Sequence, residues 1–110
     1  MTNPNKQKGD RAEREVAAIL SGLLGFNVRR QLGAGRLDDV GDLTGVPQTV
    51  VQVANRKDLA TTLRVKPVEC ERQQVNAGAP FGFTAIRLAG GDWRAVLTLE
   101  QMATYIRETL

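Results

Sequence analysis

At 110 residues the chain is long enough to bury a hydrophobic core without covalent staples, and 42% hydrophobic with 25% charged residues marks a globular composition rather than a disordered one. There is no histidine, which excludes Ser–His–Asp and Cys–His catalysis, histidine-ligated zinc and any histidine general base. The charge is +3, eleven of the fifteen basic residues are arginines, and residues 1–66 hold the surplus, with eleven Lys/Arg against seven Asp/Glu.

Arginine forks suit phosphate, so this distribution favours a nucleic-acid partner. A bound metal would have to take oxygen ligands, which favours Mg²⁺ or Mn²⁺ over zinc. Cys70 stands alone, so it can close no internal disulfide, and this fits a reducing cytoplasm. No apolar run approaches the roughly 20 residues of a spanning helix, and the polar start MTNPNKQKGD lacks a signal-peptide core. No membrane association is expected.

In chain order, residues 1–7 read as a flexible basic tail and residues 8–110 as one domain. Ala12, Val16, Ile19, Leu20 and Leu23 follow helical spacing from about Lys8 to Leu24, with Gly25 as the stop. FNVRRQL (26–32) alternates like a strand, GAGRLDDVG (33–41) is a loop, and a short strand is expected around Asp42–Leu43. TVVQVAN (49–55) has the β-branched density of a buried central strand. A helix is predicted from about Thr62 to Ala77, with Pro67 in its first turn or at a kink and Gly78 at its end. FGFTAIRL (81–88) and WRAVLT (93–98) read as strands joined through AGGD, and Thr98 with Gln101 opens a last helix. The order is α-β-β-β-α-β-β-α, an α/β (α+β) fold with a central mixed sheet flanked by helices.

Residues two apart on a strand face the same side, so positions 52 and 54 project together. A carboxylate at the first and a lysine at the second, with Asp42 on an adjacent strand, would hold a hard cation beside a phosphodiester and neutralise developing charge. Here those positions carry Gln52 and Ala54.

The pattern resembles the restriction-endonuclease-like, or PD-(D/E)XK, nuclease superfamily over roughly Lys8 to Tyr105. In particular it looks like the small Holliday-junction-resolvase-like nucleases, including those of bacteriophages that infect actinobacteria. The segments that carry the resemblance are KGDRAERE (8–15), GDL (41–43), VVQVANRKD (50–58) and ERQQVNAGAPFGF (71–83). It implies Glu13 as a first-helix acid and a metal held by Asp42, Gln52 and the backbone carbonyl of Val53. Gln52 fills the acid position and Ala54 the lysine position. Gln52 would weaken the cation's hold, and alanine at 54 marks either a naturally degraded site or an inactivating substitution. Lys57, three positions beyond, is expected to face away by strand alternation.

Plainer roles stand beside these. Glu13 also fits a capping box with Asp10, and Asp42 a turn in a Gly-rich loop. Asp38 and Asp39 read as solvated loop residues, with Asp39 a fallback ligand. Gln52 in an apolar strand needs a hydrogen-bond partner. Lys6, Lys8, Arg11, Arg29, Arg30 and Arg36 are candidates for a phosphate-binding rim, as are Arg56 and Lys57 beyond the motif strand. Trp93 and Phe81 read as core or interface residues.

The sequence therefore leads to a Mg²⁺- or Mn²⁺-dependent DNA endonuclease, structure-selective for branched DNA, acting as a homodimer and impaired by the missing lysine. The alternatives are a non-catalytic DNA-binding or regulatory protein on the same scaffold, and a protein-interaction module.

Overall fold

A computed structural model describes residues 3–32 and 39–110. The first helix, α1 (Pro4–Leu24), starts four residues earlier than the apolar spacing predicts. The Asn3 side chain accepts from the backbone N–H groups of Asn5 and Lys6, and Pro4 pre-sets the first turn. Residues 4–7, expected in a flexible tail, are thus helical, because the Asn-Pro cap outweighs their polar composition. Asp10 then lies inside the helix, so it and Glu13 form no capping box. Gly25 closes α1 in the left-handed conformation, with its N–H on Ser21 O.

The strand expected over 26–32 narrows to β1 (Arg29–Arg30). The Ser21 hydroxyl accepts from Val28 N–H at 2.8 Å and donates to Val28 C=O at 3.1 Å, so a helix side chain takes the place of a ladder partner. The other elements are β2 (Leu43–Thr44), β3 (Thr49–Ala54), α2 (Leu59–Ala77), β4 (Phe81–Arg87), β5 (Trp93–Val96) and α3 (Leu99–Glu108). Helix α2 begins earlier than predicted because Asp58 caps it through the Thr61 N–H, and Pro67 lies in its interior rather than its first turn. Thr98 caps α3 as expected, accepting from the Gln101 N–H at 3.0 Å.

The five strands form one mixed sheet in the order β1-β2-β3-β4-β5. β1, β2 and β3 are an antiparallel meander, while β3 and β4 pair in parallel from Thr49↔Phe81 to Ala54↔Ile86. Helix α2 is the crossover that a parallel pair requires. β5 returns antiparallel on β4. The element order and mixed α/β class are those expected from the sequence.

Alternation along β3 separates two environments. Val51, 0% exposed, joins Val16 and Ala17 of α1, Val28, Leu43 and Ala85 in the core, with Trp93 packed against them. Gln52 points to the opposite face, toward α2. Trp93 also donates its indole N–H to Glu15 at 3.0 Å, and Phe81 stacks on Tyr105 with centroids 4.4 Å apart, so both aromatics are structural. Among the described residues no helix is long and apolar enough to cross a membrane.

Candidate functional site

A cleft of about 630 Å³ opens where β3 ends, beyond the carboxyl edge of the parallel β3–β4 pair. Open α/β sheets favour ligand sites at such an edge. Glu13, Asp42, Gln52 and Ala54, singled out in the sequence, all line it.

Asp42 is held from three directions. Its N–H donates to Val51 O, its C=O accepts from Gln31 N–H, and its Oδ2 accepts from the Val53 N–H at 2.8 Å. The preceding Gly41 has φ +101°, and a Cβ there would stand 2.8 Å from Val50 Cγ1 and 3.1 Å from Val51 O, so the approach of this loop to β3 needs glycine. Burial pushes the Asp42 carboxyl up to about 6, against the Val53 hydrogen bond, and the charges of Glu13 and Asp39 push the same way.

Glu13 does not stand free. Arg30 Nε donates to its Oε1 at 3.0 Å, and Arg30 Nη2 donates to Asp10 Oδ1 at 2.7 Å. Arg30 is therefore an internal clamp between β1 and α1 rather than an open phosphate contact. Asp39 is an exposed loop residue, as expected, and it is also anchored. Its Oδ2 accepts from Gln73 Nε2 at 2.8 Å and its backbone C=O accepts from Asn76 Nδ2 at 2.9 Å, tying it to α2.

Gln52 is 3% exposed and hydrogen-bonded at both ends of its amide. Its Oε1 accepts from the Thr84 hydroxyl at 3.0 Å and its Nε2 donates to Glu69 Oε2 at 3.0 Å. The carbonyl oxygen expected on a metal thus spends one of its two lone pairs on Thr84. Val53 meets Asp42 through its N–H. Glu69 Oε2 also accepts from Lys66 Nζ at 2.9 Å, and this hydrogen bond holds the Glu69 carboxyl below its ordinary range.

Lys66, Glu69 and Gln73 are the lining residues on α2, and sequence reasoning missed all three. With Thr62 they recur at positions 62, 66, 69 and 73, a polar stripe on one face of α2. That stripe, placed just after the motif strand, is the signal that could have found them.

Of the expected basic rim, Lys8, Arg56 and Lys57 line the cleft. β3 stops at Ala54, so strand alternation no longer governs Lys57, and it comes to the cleft instead of facing away. Lys6 pairs with Asp10 at 3.0 Å, while Arg11 and Arg29 are exposed outside the cleft lining. Arg36 and Asp38, with the rest of residues 33–38 of the expected loop, lie outside the described residues.

No family model matches the chain, and no curated protein or solved structure is found to match it.

The donor chemistry of the cleft suits a hard cation in a limited way. Among the described residues no three carboxylate or cysteine side chains converge to form a metal cage. Asp42, crowded by Glu13 and Asp39, is nevertheless a carboxylate whose ionised form lacks a nearby counter-charge of matching strength. Mg²⁺ is commonly bound by one or two carboxylates, with water and substrate phosphate completing the shell. Cys70 offers no competing chemistry, since burial pushes its thiol up to about 11 and keeps it protonated.

Proposed function

We propose that the chain is a metal-dependent DNA endonuclease of restriction-endonuclease-like fold, structure-selective for branched DNA and acting as a homodimer. The observation that carries this reading is the meeting of Asp42, Glu13 and the β3 end in one cleft rimmed by Lys8, Arg56 and Lys57. A hard cation next to Asp42, Mg²⁺ or Mn²⁺, would polarise the phosphoryl oxygen and lower the pKa of a bound water. The chain's own contribution is to hold Asp42 through the Val53 N–H, keep Glu13 oriented by Arg30, and lead the DNA backbone along the basic rim.

A second reading is favoured by the alanine at position 54 and the engaged carbonyl of Gln52. On that reading the protein recognises DNA without cutting it. The test is incubation with a labelled four-way junction and a linear duplex in Mg²⁺, Mn²⁺ or EDTA, with binding measured at two salt concentrations. Metal-dependent cleavage of the junction supports the endonuclease. Salt-sensitive binding without cleavage, by this chain and by its Ala54→Lys variant, supports the second reading, and binding to neither DNA removes both.

A further inference from the structure

β3 lacks a lysine at 54 and a carboxylate at 52, yet the cleft holds both kinds of group. They come from α2. Lys66 Nζ lies 2.9 Å from Glu69 Oε2, the same oxygen accepts from Gln52 Nε2 at 3.0 Å, and Gln52 Oε1 accepts from the Thr84 hydroxyl at 3.0 Å. The relay therefore runs from a 0% exposed hydroxyl on β4, through a buried amide on β3, to an ammonium on α2.

An i,i+3 Lys–Glu pair on a helix is ordinarily a solvated surface contact of little consequence. Two features set this one apart. The Lys66 side chain is only 20% exposed, and its partner's carboxylate takes a second hydrogen bond from a strand residue that is itself 3% exposed. An ammonium has three protons, and the contact with Glu69 uses one. Two remain for oxygens of a bound phosphodiester. Holding the flexible stem in place removes much of the entropy cost that a free lysine would meet on binding.

We infer that Lys66 is the cation that meets the phosphodiester in this cleft, in place of a lysine on β3, with Glu69, Gln52 and Thr84 as its positioning residues. The role of Gln52 follows from the same geometry. A glutamate there would set one carboxylate against another at Glu69, whereas an amide donates to it. Gln52 is then the residue this relay requires, and Ala54 leaves the catalytic cation to α2. The inference rests on the endonuclease reading and predicts that the chain as it stands is active.

The experiment is single-turnover cleavage of the four-way junction in Mn²⁺ by the chain and by Lys66→Ala, Ala54→Lys and the double variant. Lys66→Ala is expected to slow cleavage by roughly 100-fold, the scale of losing one transition-state charge contact, with junction affinity little changed. The double variant should regain most of that loss. In EDTA, where no cleavage occurs, the side-chain ammonium resonance of Lys66 should shift on adding the junction. If Lys66→Ala cuts as fast as the parent, or the resonance does not move, the inference is overturned while the endonuclease stands. If the parent is inert and Ala54→Lys cuts, the site is a nuclease site disabled at 54 and the inference is again overturned. If nothing cuts in any variant, the endonuclease reading fails and the inference falls with it.

Discussion

Asp42→Asn should stabilise the protein at neutral pH, although Asp42 is the best-anchored carboxylate of the cleft. Its carboxyl rises from 3.8 to about 6 on folding, so folding favours the protonated form and the ionised form opposes it. At roughly 1.4 kcal/mol per pKa unit, the penalty for ionising Asp42 in the fold is about 3 kcal/mol. Asp42 keeps part of its surface in water, and screening brings the figure to about 2 kcal/mol. The sign follows from the raised value: the stability that a neutral Asp42 permits is fully present below 3.8 and is lost as pH rises through about 6. An asparagine carries no charge at any pH and its carbonyl oxygen still accepts the Val53 N–H.

Thermal melts in EDTA, followed by circular dichroism between about pH 4 and about pH 8, test this directly. The parent should lose stability relative to Asp42→Asn across that range, so that the variant melts roughly 10 °C higher at the alkaline end. Near the acid end the two should coincide. Adding Mg²⁺ at the alkaline end should raise the parent's midpoint and leave the variant's unmoved, because a cation that binds only the folded carboxylate shifts the equilibrium by mass action. Below about 6 the proton competes with the cation and the Mg²⁺ effect should fade. A variant that melts below the parent at the alkaline end, or a difference that does not vary with pH, would show that Asp42 is not a strained anion.

Thr84→Val removes the hydroxyl that Gln52 Oε1 accepts from and leaves that oxygen buried, so urea denaturation should show a loss of about 1–3 kcal/mol. Gly41→Ala forces a Cβ against Val50 and Val51 at a φ that favours glycine, at a cost of about 1–3 kcal/mol; its melts should also lose the Mg²⁺ response, since Asp42 is displaced. Lys57→Ala should weaken junction binding and reduce the slope of log affinity against log salt by about one phosphate contact, read from titrations at several salt concentrations.

Much of the fold was legible because local signals agreed with the global arrangement. The β-branched-rich stretch Thr49–Val53, the left-handed stops Gly25 and Gly78 and the Thr98 cap each specify an element without reference to the rest of the chain. What was missed depends on contacts between distant residues. The alternation of 26–32 suggests a strand, but Ser21, seven residues upstream, captures the backbone of Val28 and shortens it. The start of α1 is the exception, because its Asn3–Pro4 cap is local and outweighs the polar composition of residues 4–7.

The cleft divides along the same line. Asp42 stands at the bend just before β2 rather than on the strand expected around Asp42–Leu43, but β2 pairs with the β3 strand of Gln52 and Ala54, so spacing alone brings the three together. Lys66 and Glu69 reach the cleft only because the parallel β3–β4 pair demands a crossover, and α2 is that crossover. Viewed as a helix alone, the pair looks like a surface salt bridge. The strand partner Gln52 and the low exposure of Lys66 distinguish it.

Charge balance gives the two departures on β3 a common cause. Among the described residues the cleft is lined by four carboxylates, Glu13, Asp39, Asp42 and Glu69, and four cations, Lys8, Arg56, Lys57 and Lys66. A fifth carboxylate at 52 would sit beside Glu69 and add to the charges of Glu13 and Asp39, which reinforce the burial that raises Asp42 to about 6. A fifth cation at 54 would start from a position 3% exposed, in a cleft where Lys66 already brings an ammonium. Restoring glutamate and lysine on β3 therefore duplicates groups that α2 supplies. Gln52→Glu should accordingly weaken the fold and raise Asp42 further, shifting the Mg²⁺ response to higher pH rather than strengthening it. A stronger Mg²⁺ response in Gln52→Glu at unchanged pH would instead mean that β3, not α2, is where the acidic group belongs.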